Sequence, residues 1–181
     1  MTTPATGVAR PGVSVGPTSE FSLFFRIKSG EAEQVRKALA DLQNSPGYRP
    51  GDYEIPIATI HEARFVLFDD DTRLLFATSF DGPWDVYMED FASKPLQLFD
   101  SIFQHVEGYS GLPDLAAVKA FILSAQQTAG GYSRNYGGTV KENRKAQRVN
   151  DAFQRVLDDP AAEDALQHPA LAPLMDEAAD A

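Results

Sequence analysis

An α+β fold built on one antiparallel sheet is what this sequence predicts, and three observations predict it. Apolar and polar residues alternate over 21–28, two further β-type runs flank the turn-forming stretch Asp69-Asp70-Asp71-Thr72, and helical spacing follows both Gly30 and Pro83. Strands pairing through short polar turns, with helices between them, give an α+β layer rather than an all-helical bundle.

Each element has its own justification. In the first strand Phe21, Leu23, Phe25 and Ile27 point one way while Ser22, Phe24, Arg26 and Lys28 point the other. Ser29 and Gly30 end it. Residues 31–43 carry Val35, Leu39 and Leu42 at helical spacing behind an acidic first turn, which favours a helix there. Three prolines and two glycines make 45–56 a loop. A second strand is expected over 57–68 and a third over 73–80, joined as a hairpin. Pro83 occupies a tolerated first-turn position, and Trp84, Tyr87, Met88 and Phe91 then form a helical stripe, with Ser93 able to cap the next segment. Leu98, Phe99, Ile102, Phe103 and Val106 extend the helical region past a bend at Pro95 to about Gly108. A further helix is expected over 112–126, a last strand over 130–136, and a helix capped by Thr139 that reaches Leu157.

The resulting order is the ferredoxin-like βαββαβ arrangement with extra helices. A four-stranded sheet with helices on one face leaves its other face to be covered, and a second copy of the chain could cover it, closing a dimeric α/β barrel. A homodimer enclosing a small-molecule cavity is therefore expected. Residues 1–18 read as a disordered N-terminal tail, 19–158 as the domain, and 159–181 as an acidic, alanine-rich C-terminal tail.

Composition removes several functions. The 16 Lys and Arg against 26 Asp and Glu leave a formal charge of −10, which repels nucleic-acid phosphates and anionic lipid. Lys141, Arg144, Lys145 and Arg148 form the densest basic stretch, and with Glu142 they read as a solvated helix face. The absence of cysteine excludes disulfides, thiolate nucleophiles and zinc–thiolate sites. No apolar run spans a bilayer and no secretory leader pattern opens the sequence, so a cytoplasmic protein is expected.

Three clusters could carry chemistry. In Ile60-His61-Glu62-Ala63-Arg64-Phe65, strict alternation puts His61 on the core side with Ala63, Phe65 and Leu67, as a structural or ligand-lining group. The same alternation puts Arg64 on the mixed face, where Arg26 could join it against an anionic or carbonyl-bearing ligand; an ion pair of Arg64 with Glu62 or Asp81 is the alternative. At the junction around Ser79-Phe80-Asp81-Gly82-Pro83-Trp84, Asp81 could cap the following helix or act as a general base, with Trp84 and Tyr87 as walls. In His105-Val106-Glu107-Gly108-Tyr109, His105 could complement a helix dipole or act at a cavity beside Tyr109. His168 lies in the tail and no His-x-x-x-His or His-Glu-x-x-His pair exists, so no metal site is expected.

Ile60-His61-Glu62-Ala63-Arg64-Phe65, followed by residues 75–87 with Ser79-Phe80-Asp81-Gly82-Pro83-Trp84, resembles a pattern of the dimeric α/β-barrel superfamily, over about residues 20–158. The superfamily includes dye-decolourising peroxidases, chlorite dismutase relatives, and haem-free monooxygenases and isomerases, so the resemblance implies a fold and a cavity more than a reaction. Asp81-Gly82 matches part of the peroxidase Gly-x-x-Asp-Gly signature, with Thr78 at the glycine's place. Haem binding, with His105 in the proximal role, is what that partial match implies. Two functional readings follow: an enzyme using Arg64, Asp81 and His105 with His61, Trp84, Tyr87 and Tyr109 around the substrate, or a binding or assembly module in which the same residues cap, pair and pack.

Overall fold

The computed structural model describes residues 13–49, 52, 57–93, 96–111 and 113–179. Its strands are β1 (Val13–Val15), β2 (Thr18–Arg26), β3 (Ile60–Phe68), β4 (Arg73–Asp81) and β5 (Gln126–Gln127). Its helices are α1 (Ala32–Gln43), α2 (Trp84–Ser93), α3 (Leu96–Phe103), α4 (Leu115–Ala125), α5 (Val140–Leu157), α6 (Glu163–Leu166) and α7 (Ala172–Ala179). The sheet is antiparallel in the order β1-β2-β4-β3, and β5 also pairs with β2. No helix among the described residues is long and apolar enough to cross a membrane.

The β3–β4 hairpin forms where two β-type runs flank the acidic turn. Asp69, Asp70 and Asp71 all take left-handed backbone angles, with φ of 57°, 49° and 63°. Aspartate is among the few non-glycine residues that enter this region readily. Thr72 closes the turn by donating its N–H to the Asp69 carbonyl at 3.1 Å.

Alternation sorts the sheet into two faces. Phe21, Leu23, Phe25 and Ile27 of β2, Leu74, Phe76 and Phe80 of β4 and Ile60 of β3 join one buried cluster with Val35 and Leu42 of α1, Met88 of α2, Ile102 of α3 and Ile122 of α4. Aromatic rings fill much of it: Phe21 meets Phe80 edge-on at 5.6 Å, and Phe65 lies 4.7 Å from Phe76. The opposite face carries Phe24 and Val66, which remain 36% and 42% exposed, beside Arg73, whose guanidinium sits over Phe68 at 4.9 Å.

Three expectations change. The last strand is the two-residue β5, not 130–136; Gln126 is held there because its amide oxygen accepts the Trp84 indole N–H at 2.9 Å. The glycine-rich 130–136 stretch instead runs without regular structure. The long helical region ends at Phe103 rather than near Gly108, because the following residues turn to pair with the end of β2: Lys28 N–H donates to the His105 carbonyl at 2.9 Å and Glu107 N–H to the Arg26 carbonyl at 2.9 Å. Val13–Val15, within the stretch read as a tail, pairs with β2, whereas residues 1–12, the bend at Pro95, and the side chains of Phe91, Ser93 and Leu98 lie outside what is described.

The chain divides into two compact units, Met1–Val140 and Lys141–Ala181. In the second, the stretch read as a tail is folded into short helical turns. Asp159 and His168 each accept an N–H two residues ahead, at 2.9 and 3.2 Å, and so start the turns at Pro160 and Pro169.

Candidate functional site

Strict alternation fails at one point, and that point assembles the most connected polar cluster of the sheet. Ile60 pairs with Phe80 but Glu62 pairs with Ser79, so His61 is the extra residue of a β-bulge. A bulge re-aims its side chain. His61 consequently leaves the core side expected for it and joins Asp81, which lies opposite Thr18 on the other face.

There the His61 Nε2 lies 2.6 Å from an Asp81 oxygen, while the second Asp81 oxygen accepts the Val140 N–H at 2.8 Å. Arg134 reaches the cluster from the 130–138 stretch. It donates to the Thr18 hydroxyl, to the His61 Nδ1 at 3.1 Å and to the Gly138 carbonyl at 3.4 Å, and its guanidinium lies 4.6 Å from the Tyr136 ring centre. Arginine only donates, so Nδ1 must accept. The proton therefore sits on Nε2 and is given to Asp81, which fixes His61 as the neutral Nε2–H tautomer. The side chains of His61 and Asp81 are 4% and 15% exposed, so this network is screened from water.

Asp81 thus does cap a helix, but not the expected one: its carboxylate serves the N–H of Val140, the first residue of α5, rather than the start of α2. A first-turn N–H has no intrahelical acceptor, and a carboxylate satisfies it well. Thr18, Arg134 and Tyr136 were not singled out in the sequence. Their only local sign is an arginine embedded among glycines and tyrosines at 130–138.

One step along the same face lies a cavity of about 200 Å³ whose walls include Glu20, Ser22, Glu62, Arg64, Ser79 and Tyr132. Arg64 has no hydrogen-bond or ion-pair partner among the described residues; the pairs considered with Glu62 and Asp81 do not form. Arg26 is absent from the cavity. It pairs across the sheet with Arg73, four residues along β2 from Ser22, or about 13 Å at the usual strand rise.

The remaining candidates sit elsewhere. Trp84 and Tyr87 are 7% and 1% exposed in the core, the latter stacked on Phe80 at 4.0 Å, so neither lines this cavity. Tyr109 donates to Asp100 and packs its ring 5.1 Å from Phe121. His105 lies in the turn that follows α3, its N–H donating to the Ile102 carbonyl at 3.2 Å; its Nδ1 lies 2.8 Å from Glu31, at the far end of β2 from Thr18 and Asp81, about 30 Å away by strand rise. Arg64, Asp81 and His105 therefore do not form one site.

Burial pushes the Tyr87 phenol well above its ordinary pKa, with Tyr48 and Asp90 adding to the effect and Thr78 opposing it. A raised folded-state pKa means stability present below the unfolded value of about 10 and lost as pH climbs past it. Urea midpoints measured between pH 8 and 11 are expected to fall at the alkaline end in the wild type and to fall less in Tyr87→Phe.

The donor set does not suit haem. His105 faces Glu31 and borders neither this cavity nor the larger one beside α1, and His61 has both ring nitrogens engaged. Compared with known proteins, the chain matches no family model, no curated protein and no solved structure.

Proposed function

We propose that the chain is a small-molecule-binding protein of the ferredoxin-like dimeric α/β-barrel type, in which a second copy lies against the open sheet face and completes the polar cavity. The observation that carries this reading is that face itself: Phe24 and Val66 stay exposed on a sheet whose other side carries the buried core, and Arg64, without an ion-pair partner among the described residues, lies on the same face. An apolar sheet face is an association surface unless something covers it. The strand order β5-β2-β4-β3, all antiparallel, supports the ferredoxin-like assignment.

Binding is favoured over turnover because the groups best suited to proton transfer are already committed. Both Asp81 oxygens and both His61 nitrogens are bonded within the chain. The ligand chemistry follows from the cavity walls: an oxygen acceptor opposite Arg64 and donors opposite Glu62, as in a small polar carbonyl compound carrying N–H groups.

Sedimentation velocity provides the test. The wild type is expected to run as a dimer and Val66→Asp as a folded monomer with an unchanged circular dichroism spectrum. A wild-type monomer at high micromolar concentration would sink the reading. Polar carbonyl fragments are expected to shift the amide resonances of Ser22, Ala77 and Ser79, and Arg64→Ala to abolish those shifts.

A further inference from the structure

The pairing register lays out the polar cavity of the open face as two rows across three strands. Glu20 of β2, Ser79 of β4 and Glu62 of β3 stand opposite one another in the first row, and Ser22, Ala77 and Arg64 in the second. At the usual strand spacing the two glutamates arise about 10 Å apart on either side of Ser79, and at the usual rise the second row lies about 7 Å away. Short side chains therefore make the floor, with Glu20, Glu62, Arg64 and Tyr132 around it.

Charge decides what such a depression accepts. Two carboxylates stand against one guanidinium, and Glu20 is only 8% exposed. Arg64 and Glu62, two residues apart on one strand face, make no ion pair with each other. A neutral amide would meet Arg64 but offer the carboxylates only an uncharged donor. A simple anion would be repelled by both glutamates, and a simple amine would leave Arg64 unmatched. Opposite charges on one small molecule match both rows at once.

On the footing that the polar cavity is the ligand site, we infer that its ligand is a zwitterion: a small aliphatic amino carboxylate, its ammonium over Ser79 between Glu20 and Glu62 and its carboxylate on Arg64 beside Ser22.

Amide resonance titrations of the full chain at neutral pH with γ-aminobutyrate, butyramide, butyrate and butylamine test this. The zwitterion is expected to shift Ser22, Ala77 and Ser79 and to bind about tenfold more tightly than butyramide, the gain of a charge-assisted hydrogen bond over a neutral one. It is also expected to bind more tightly than either singly charged probe. Glu62 and Arg64 are exposed, so substitutions there leave the fold intact. Glu62→Gln should weaken γ-aminobutyrate and butylamine but not butyrate. Arg64→Ala should abolish the response to γ-aminobutyrate and butyrate and leave that to butylamine. The inference is overturned if butyramide or a singly charged probe matches the zwitterion, if Glu62→Gln leaves the zwitterion's affinity unchanged, or if none of the four shifts those residues. Sedimentation of the same samples separates the two failures: a dimer without preference for the zwitterion overturns this inference alone, whereas a monomer that keeps the preference overturns the proposed assembly and supports the ligand.

Discussion

Asp81→Ala is expected to lower the unfolding free energy by about 2–6 kcal/mol, since it strands two buried donors at once and each costs about 1–3 kcal/mol unbonded. Those donors are the His61 Nε2–H, at 2.6 Å, and the Val140 N–H, at 2.8 Å. Asp81→Asn should lose roughly half as much, because its single carbonyl oxygen can accept from one donor while its amide nitrogen confronts the other. Amide hydrogen exchange adds the local readout. Val140 is expected to lose protection in both variants while the β2–β4 ladder stays protected in Asp81→Asn. Unchanged stability together with a loss of ligand response in Asp81→Ala would instead show that Asp81 serves the ligand rather than the fold.

Phe76→Ala is expected to cost about 3–5 kcal/mol, the usual loss when a fully buried phenylalanine is truncated. Phe76 is 0% exposed on a central strand, 4.7 Å from Phe65, 6.2 Å from Phe21 and 6.3 Å from Phe99. No neighbour can collapse into the gap without breaking the register that β4 keeps with both β2 and β3. Val86→Ala provides the contrast: Val86 is 53% exposed on α2, and its truncation should change the urea midpoint little. Comparable midpoint shifts in the two variants would overturn the placement of Phe76 at the centre of the packing.

Much of the scaffold was legible because its signals are local. The period-2 alternation of β2, the three aspartates between β3 and β4 and the helical spacing of Val35, Leu39 and Leu42 are settled by each segment's own sterics and side-chain pattern, and the corresponding elements form within a few residues of the expected limits. The site was legible only in fragments. Alternation put Arg64 on the mixed face, where the register pairs it with Ala77, whereas Trp84 and Tyr87 proved to be core residues, because an aromatic at a strand–helix junction has the same spacing whether it walls a pocket or fills the interior.

By itself, the sequence determined an antiparallel α+β scaffold, the hairpin, the first helix and the sorting of β2 into a packed and an open face. Tertiary structure alone decided that a single inserted residue turns His61 from the core to Asp81, that Arg134, more than seventy residues later, fixes its tautomer, and that Gln126 rather than the 130–136 stretch provides the last strand. The physical reason is range: dihedral preference and periodicity act over a few neighbouring residues, but a bulge is defined only by the partner strand, and a buried hydrogen bond only by the group the fold brings opposite it.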